Sequence, residues 1–195
     1  MNIKRITRGI KRRLSFIHSL SYKKFGKRSL IENPLEITGK EFMEIGNDVT
    51  IINGARIEAI PSWLNQELHP MLKIGDSTSF EQEAHLFVAS NLTIGKNCVF
   101  SSRIFITTAN HSFDRVDQNI LKNEIIVKDV VIGDNCFVGM DVKIFPGVHI
   151  GDNVIVGANS IVTSDIPSYS VCVGTPAKVI KKYDFEQKKW VRTEE

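Results

Sequence analysis

Five histidines are the side chains of this 195-residue chain best suited to moving a proton near neutral pH. One of them, His111, lies near the start of an interruption (residues 107–129) in an otherwise regular sequence pattern. Interruptions of this kind are exposed and often carry function. A histidine within hydrogen-bonding distance of a poorly nucleophilic hydroxyl could remove its proton. His111 is therefore the candidate general base.

The other histidines and the three cysteines offer weaker candidates. His18 and His69 are expected to be solvated and His149 to be structural, whereas His85 directly precedes an apolar repeat position and could face a cleft. The cysteines are odd in number and form no C-x-x-C motif, so neither a disulfide framework nor a zinc knuckle is predicted. This usage favours a reducing, cytoplasmic location.

Charge is distributed unevenly along the chain. Residues 1–31 hold ten Lys or Arg and no acidic residue, while the remainder holds 15 basic and 22 acidic residues. Apolar residues three or four apart place one stripe on a predicted N-terminal helix, at Ile3, Ile6, Ile10, Leu14 and Ile17. Residues 1–28 could lie on an anionic membrane at its inner face, or the stripe could pack on the body or on a neighbouring subunit. Nothing predicts nucleic-acid binding, a membrane span or a secretion signal.

A six-residue repeat runs through the chain from residue 45. Stepping by six from Ile132 gives only β-branched aliphatic residues, namely Ile132, Val138, Ile144, Ile150, Val156 and Val162. The tetrapeptide Ile-Gly-Asp-Asn occurs at 132–135 and again 18 residues later. A period of six fits neither a helix nor a simple alternating strand, but three strand-and-turn sides would close an 18-residue coil. We predict roughly six stacked parallel coils, with Gly, Asn and Asp supplying the turn conformations.

Four segments resemble the hexapeptide-repeat acyltransferases. They are Thr107–His111, Asp134–Gly139, Pro146–Val148 with Gly157–Val162, and Gly174–Ile180. The nearest likeness is to galactoside, maltose and xenobiotic O-acetyltransferases and to O-acetyltransferases of glycan assembly. The resemblance implies an all-β fold, a left-handed parallel β-helix, forming a homotrimer with acetyl-CoA between neighbouring subunits. The predicted domains are a basic helix (1–31), the β-helix (32–182) and a C-terminal tail (183–195).

The resemblance also implies roles for individual residues. His111 would deprotonate the acceptor, which attacks the thioester without an acyl-enzyme, and the Met140 N–H would stabilise the oxyanion. Met140 stands where relatives often have Ser, and Phe137 where they often have Trp. The implied acetyl-CoA contacts are Phe137, Gly139, Met140, Ala158, Ser160, Thr163, Ser164, Lys178 and Lys181. The implied acceptor contacts are Glu81, Glu83, His85 and Asn110, and the match at the two glutamates is partial.

The predicted function is acetyl-CoA-dependent O-acetylation of a saccharide hydroxyl in surface-glycan biosynthesis. The alternatives are N-acetylation of an amino-sugar nucleotide, in which the amine needs less help from a base, and a non-catalytic β-helix scaffold. A serine acetyltransferase is disfavoured because the large N-terminal helical domain of those enzymes has no counterpart here. No metal site is predicted, because His85, His111 and His149 lie far apart in sequence whereas two zinc ligands of the related γ-carbonic anhydrases lie close together.

Overall fold

The computed structural model describes residues 20–193, which form a parallel β-helix of six coils. Each coil contributes one short strand to each of three parallel sheets. The first three coils contain β1 (Lys24–Phe25), β2 (Leu30–Ile31) and β3 (Glu36–Thr38); β4 (Met43–Ile45), β5 (Thr50–Ile51) and β6 (Arg56–Ala59); and β9 (Met71–Ile74), β10 (Ser79–Phe80) and β11 (His85–Val88). The next three contain β12 (Asn91–Ile94), β13 (Val99–Phe100) and β14 (Phe105–Thr107); β17 (Val130–Ile132), β18 (Phe137–Val138) and β19 (Lys143–Ile144); and β20 (His149–Ile150), β21 (Ile155–Val156) and β22 (Ile161–Val162).

Two insertions leave the coils where the sequence predicted interruptions. The first contains the antiparallel pair β7 (Ser62–Trp63) and β8 (Gln66–Glu67), and the second contains the antiparallel pair β15 (Ala109–His111) and β16 (Ile125–Val127). Short 3₁₀ turns lie at Lys40–Phe42 and Ile120–Lys122. In the described part of the chain, no helix has the length and apolarity needed to cross a membrane.

The second sheet ends in an antiparallel extension. It is formed by β23 (Ser170–Gly174), β24 (Ala177–Asp184) and β25 (Lys189–Arg192), with β23 continuing the parallel stack from β21. Tyr183 and Trp190 face each other across β24 and β25, with ring centroids 5.3 Å apart. The predicted tail from residue 183 therefore contains a paired strand.

The coils begin upstream of residue 32, where the β-helix was predicted to start. Phe25 and Leu30 already pair with the second coil, because their carbonyl and amide groups continue its sheets. Two basic residues of the predicted arm form ion pairs there: Lys23 Nζ lies 3.0 Å from Glu44 Oε1, and Arg28 Nε donates to Asp48 Oδ1 at 2.7 Å. The last part of the predicted helix (1–31) therefore contains β1 and β2, and its apolar stripe lies outside the described residues.

The repeated aliphatic positions form the core, as predicted. Every six-residue step from Ile132 to Val162 is buried, and the same holds for the earlier coils at Ile45, Ile51, Ile57, Ile74, Phe80, Leu86, Ile94, Phe100 and Ile106. The rings of Phe80 and Phe100 stack, with their centroids 4.2 Å apart. Alternate side chains of each strand thus fill the interior, one in the two-residue strands and two in longer ones such as β4 and β9, while their neighbours face outward.

Each Ile-Gly pair marks a corner where consecutive coils come very close. The N–H of Gly133 donates to the Ile150 carbonyl at 2.8 Å, and the following N–H, of Asp134, donates to Asp152 Oδ1 at 2.7 Å. A Cβ on Gly133 would lie 2.3 Å from that same carboxylate oxygen. The glycine is therefore required for space, because the next coil occupies the position of a side chain.

The turn conformations come from other residues at these corners. Asn135 and Asn153 have φ of 57° and 55°, in the left-handed region that Asn tolerates better than most residues. Gly133 and Gly151 are absent from the positive-φ residues. The expectation that these glycines supply the turn conformation was wrong, since their backbone is one that any residue adopts.

Replacing Gly133 by alanine should destabilise the coil stack. The new Cβ would collide with Asp152 Oδ1 and, at 2.8 Å, with the Asp152 backbone nitrogen, which cannot move independently. We expect the free energy of unfolding to fall by roughly 1–3 kcal/mol, as for other overpacked sites, measured by urea denaturation. Thr93→Ala, at an outward-facing position of the same sheet, is the control. A midpoint for Gly133→Ala equal to that of the control would contradict the steric explanation.

Candidate active site

A cavity of about 280 Å³ lies against the third sheet, where the two insertions meet the coils. Its lining combines aromatic side chains with a small number of polar groups: Trp63, His85, Phe87, Phe105, Thr107, Ala109, Asn110, His111, Ile125 and Phe145. An apolar pocket with a few convergent polar groups is the usual form of a small-molecule site.

His111 is placed at the cavity by the second insertion. It is the last residue of β15 and pairs with Ile125 of β16. Its Nδ1 atom is buried and makes no hydrogen bond to any residue between 20 and 193. The ring packs edge-on against Trp63, with centroids 5.1 Å apart. Because Nδ1 is enclosed, Nε2 is the ring nitrogen left for a ligand in the cavity.

The first insertion holds the second one in place. The Gln66 amide donates to the Ile125 carbonyl and accepts from the Ile125 N–H, both at 3.0 Å. Trp63 Nε1 donates to the Asn123 carbonyl at 3.1 Å. A small core shared by the two insertions lies beneath these bonds, with Leu68, Ala89, Ala109 and Ile125 buried. The position of His111 therefore depends on Trp63 and Gln66, which lie 48 and 45 positions before it in sequence.

The opposite wall of the cavity is built from the coils themselves. Parallel pairing of β6, β11 and β14 puts Glu58, Phe87 and Thr107 in one outward-facing column. Phe145, whose N–H donates to the Val162 carbonyl, continues the column on the fifth coil. Phe105 lies in the adjacent column, with its ring centroid 6.4 Å from that of Phe145. Two phenylalanines of the column and Phe105 thus give this wall an aromatic surface.

His85 is the second histidine that lines the cavity. Its Nε2 lies 2.9 Å from Glu58 Oε2, and its ring packs edge-on against Phe105 at 5.2 Å. Glu58 in turn accepts from Arg56 Nη2 at 3.0 Å. This side of the cavity therefore carries an ordered polar network.

The structure brings together two of the four predicted acceptor contacts. Asn110 and His85 line the cavity with His111, whereas Glu81 and Glu83 are exposed on the turn between β10 and β11, outside the lining. Asp114 accepts from the Ser112 hydroxyl at 2.7 Å. None of these three carboxylates is therefore placed to orient the His111 ring in the described chain.

Four of the predicted acetyl-CoA contacts, Phe137, Gly139, Met140 and Ala158, lie at the corner between the second and third sheets. Phe137 and Met140 are 47% and 40% exposed on the fifth coil, and a Cβ on Gly139 would lie 2.6 Å from the Ala158 nitrogen on the sixth. Thr163 and Ser164 follow β22 and are exposed. Exposed apolar side chains next to the backbone N–H groups of a turn are suited to binding a flexible ligand that itself contains amide groups.

Three further predicted contacts lie near the end of the stack. Ser160 is fully buried: its hydroxyl donates to the Gly157 carbonyl at 2.7 Å and accepts from the Gly174 N–H at 3.1 Å, so the side chain has a structural role. Lys178 and Lys181 lie on β24, opposite Val173 and Val171. They place two cations on the extension next to the sixth coil.

The cavity lining offers no free nucleophile among the described residues. The Thr107 hydroxyl donates to the Ala109 carbonyl at 2.9 Å. The cysteines are buried in the core, and burial raises the pKa of the Cys172 thiol to about 11. Within residues 20–193, no three His, Cys, Asp or Glu side chains group to hold a metal ion. The lining supplies imidazole groups for proton transfer rather than a thiolate or an activated alcohol.

Several residues that line or support the cavity were not singled out from the sequence as site residues. Glu58, Phe87 and Phe145 each directly follow an inward aliphatic position, so the repeat register alone could have grouped them on one face. Gln66 and Ile125 belong to the aperiodic insertions, whose pairing the register does not reveal. Trp63, in the first insertion, packs on His111 itself.

Comparisons with known proteins match the coils and the site-bearing region. A family model described as the hexapeptide repeat of succinyl-transferase matches residues 129–164. Over 168 residues the chain is 32% identical to WbbJ of Escherichia coli K12, whose name assigns it to lipopolysaccharide biosynthesis as an O-acetyl transferase. The alignment covers 83% of this chain and 82% of WbbJ.

A second relative and a solved structure extend these similarities. The galactoside O-acetyltransferase of E. coli K12 is 38% identical over 98 residues, which are 50% of this chain and 47% of that enzyme. The N-acyltransferase AntD from Bacillus cereus, solved with dTDP and 3-hydroxybutyryl-CoA, aligns with a TM-score of 0.71 at 20% identity, over 89% of this chain and 90% of AntD. At that identity the AntD likeness shows the fold, which agrees with the left-handed parallel β-helix that the family resemblance implied.

Replacing Gln66 by alanine should loosen β16 and the loop before it. The buried Ile125 N–H loses its side-chain acceptor, and an unpaired buried group costs roughly 1–3 kcal/mol. We expect amide hydrogen exchange at Ile125 to accelerate at least about 5-fold. Gln82→Ala, which removes an exposed amide that accepts only from the Ser102 hydroxyl, is the control. Unchanged exchange at Ile125 would show that Gln66 does not hold the insertion.

Proposed function

The chain belongs to the hexapeptide-repeat acetyltransferase family, and on that premise we propose that it transfers an acetyl group from acetyl-CoA to a saccharide hydroxyl, with His111 as general base. The observation that carries the proposal is the placement of His111. Its ring lines an aromatic cavity, its Nδ1 is enclosed, and Nε2 is left to accept a proton from a bound acceptor.

The reaction needs one base and one site for the developing negative charge. The acceptor oxygen attacks the thioester carbonyl while His111 Nε2 takes the hydroxyl proton, giving a tetrahedral oxyanion. The C–S bond then breaks, and the leaving thiolate recovers the proton from His111. A fixed backbone donor would stabilise the oxyanion, and the Met140 N–H is our candidate. Among residues 20–193 no backbone carbonyl accepts from that N–H.

Direct transfer is supported by what the cavity offers. The Thr107 hydroxyl is engaged by the backbone of Ala109, and the cysteines lie in the core. An acyl-enzyme would need an activated nucleophile beside a base. The described lining has the base without the nucleophile, so the acceptor itself is the attacking group.

Acetyl-CoA is proposed to bind along the corner that holds Phe137, Gly139, Met140 and Ala158. The pantetheine arm, an apolar chain with two amides, would lie on Phe137 and Met140 and hydrogen-bond the turn N–H groups. Lys178 and Lys181 would pair with the nucleotide phosphates.

A homotrimer would bring this corner against a neighbouring subunit. Large apolar side chains after His111 support such a contact, because Phe113 is 77% and Val116 96% exposed. Exposed apolar surface of this kind often marks an interface between proteins. In such an assembly His111 and the acetyl-CoA corner would meet across the interface.

The saccharide acceptor is proposed from the relatives and from the cavity. WbbJ is named for lipopolysaccharide biosynthesis and the second relative for a galactoside, and both names specify O-acetylation. The aromatic wall provides a surface for the C–H face of a sugar ring. A role in surface-glycan biosynthesis follows from the first relative.

Acetyl-CoA should bind the purified protein at one site per chain with a micromolar Kd, measured by calorimetry. The double variant Lys178→Ala/Lys181→Ala should weaken binding about tenfold, because it removes two charge-assisted contacts. The matched control is Lys188→Ala/Lys189→Ala, on the far side of the same hairpin. No binding at millimolar acetyl-CoA would favour a non-catalytic scaffold over an enzyme.

The variant His111→Ala should lower kcat at least about 100-fold, the scale of general-base catalysis. Rates would be followed by thiol release with a panel of methyl pyranosides and amino sugars as acceptors. His149→Ala, an exposed histidine of the first sheet, is the control. Near-normal turnover in His111→Ala would reject the base. If only the amino groups in the panel were acetylated, the proposed activity would be N-acetylation instead of O-acetylation.

A further inference from the structure

We propose that His85 and Glu58 form a second acceptor subsite beside His111, in which His85 accepts a hydrogen bond from a second hydroxyl of the sugar and Glu58 positions the His85 ring. The inference rests on the proposed function and deepens it. It predicts an acceptor of a defined kind: a pyranose with a free hydroxyl near the acetylated one and an apolar ring face.

The pair is ordered by a network that runs along the third sheet. Glu58, whose side chain is only 14% exposed, contacts His85 Nε2 at 2.9 Å and accepts from Arg56 at 3.0 Å. Arg56 Nε also lies 3.2 Å from Glu36 Oε2 on the first coil. The strands carrying these residues pair in parallel register, so the network is fixed by the coils rather than by a loop.

The contact with Glu58 decides which nitrogen of His85 can meet a ligand. An ionised carboxylate only accepts hydrogen bonds, so Nε2 must carry the proton that it shares with Glu58. In the neutral ring Nδ1 is then an acceptor, and a sugar hydroxyl is the matching donor. The enclosed Nδ1 of His111 has no such partner among the described residues, so the two histidines are equipped for different tasks.

The aromatic side chains restrict what can lie between the two histidines. Phe105 packs on His85 and Trp63 packs on His111, so each imidazole stands beside an aromatic ring. A pyranose with axial C–H bonds on one face can cover such rings while its edge hydroxyls reach the imidazole nitrogens. A flexible chain with one hydroxyl would leave His85 unused.

The tautomer of His85 is the first test, and it does not depend on turnover. Protein labelled with ¹³C in its histidine rings would be studied by NMR, with the His85 signals assigned by their loss in His85→Phe. We expect the Nε2–H tautomer in the wild type and its loss in Glu58→Gln. Methyl pyranosides should shift the His85 signals in a saturable manner. An Nδ1–H tautomer in the wild type, or no shift with any pyranoside, would overturn the subsite.

Kinetics with the best methyl pyranoside form the second test. His85→Phe and Glu58→Gln should each raise the KM for the pyranoside about tenfold. We expect kcat to stay within about threefold and the KM for acetyl-CoA to remain unchanged. The double variant should match His85→Phe alone, because Glu58 acts through His85. Glu44→Gln removes a carboxylate that pairs with Lys23 on the first sheet, outside this network, and should behave as the wild type.

The outcomes separate this proposal from the proposed function. Additive effects of the two variants, or a large fall in kcat at unchanged KM, would overturn the positioning role of Glu58. A wild type that acetylates no hydroxyl in the panel would defeat the proposed function. In that case, pyranoside-induced shifts of His85 would still establish the subsite, and their absence would reject it as well.

Discussion

The close approach of consecutive coils at the Ile-Gly corners is the constraint on which the rest of the structure depends. At Gly133, the N–H bonds to the carbonyl of the next coil while an aspartate oxygen fills the space of the missing side chain. The same arrangement recurs at Gly46 and Gly95. Repetition of one corner keeps successive coils in register. That register aligns side chains far apart in sequence into columns on each outer face.

The candidate active site combines outward-facing residues of the third sheet with the two insertions that interrupt the repeat. The coils contribute Phe87, Phe145 and the Glu58–His85 pair, and the insertions contribute Trp63 and His111. The aperiodic segments close over the third sheet because Gln66 completes the backbone hydrogen bonding of Ile125. A regular solenoid offers flat faces, so the insertions are what turn a face into a cavity.

Much of this architecture could be predicted from the sequence, and the reasons for the gaps are physical. Ile and Val recur every six residues because each side of a coil buries a side chain at that position, so the coils and their core could be predicted. His111 could be selected as a candidate base from its flanking residues. The pairing of Gln66 with Ile125 was not, since insertions have no period and their contacts span the chain. The role of the glycines was misjudged because a sequence does not show which residues lie above them.

In the proposed site, the groups that bind the acceptor lie on the coils and the general base lies on an insertion. Acceptor binding and proton transfer therefore depend on different parts of the fold. Outward residues such as His85 and Phe87 alternate with the inward residue Leu86, so a change in the former leaves the packed interior intact. The acceptor preference of such a site can thus vary without disturbing the stack. The base, by contrast, is held by contacts between insertions, where Trp63 limits how the His111 ring can turn. Precise placement of a general base contributes to rate, whereas the hydrogen bonds of the coil face contribute to acceptor affinity. If His111 and His85 have the proposed roles, the physical separation of the two groups would allow kcat and KM to respond independently to substitution.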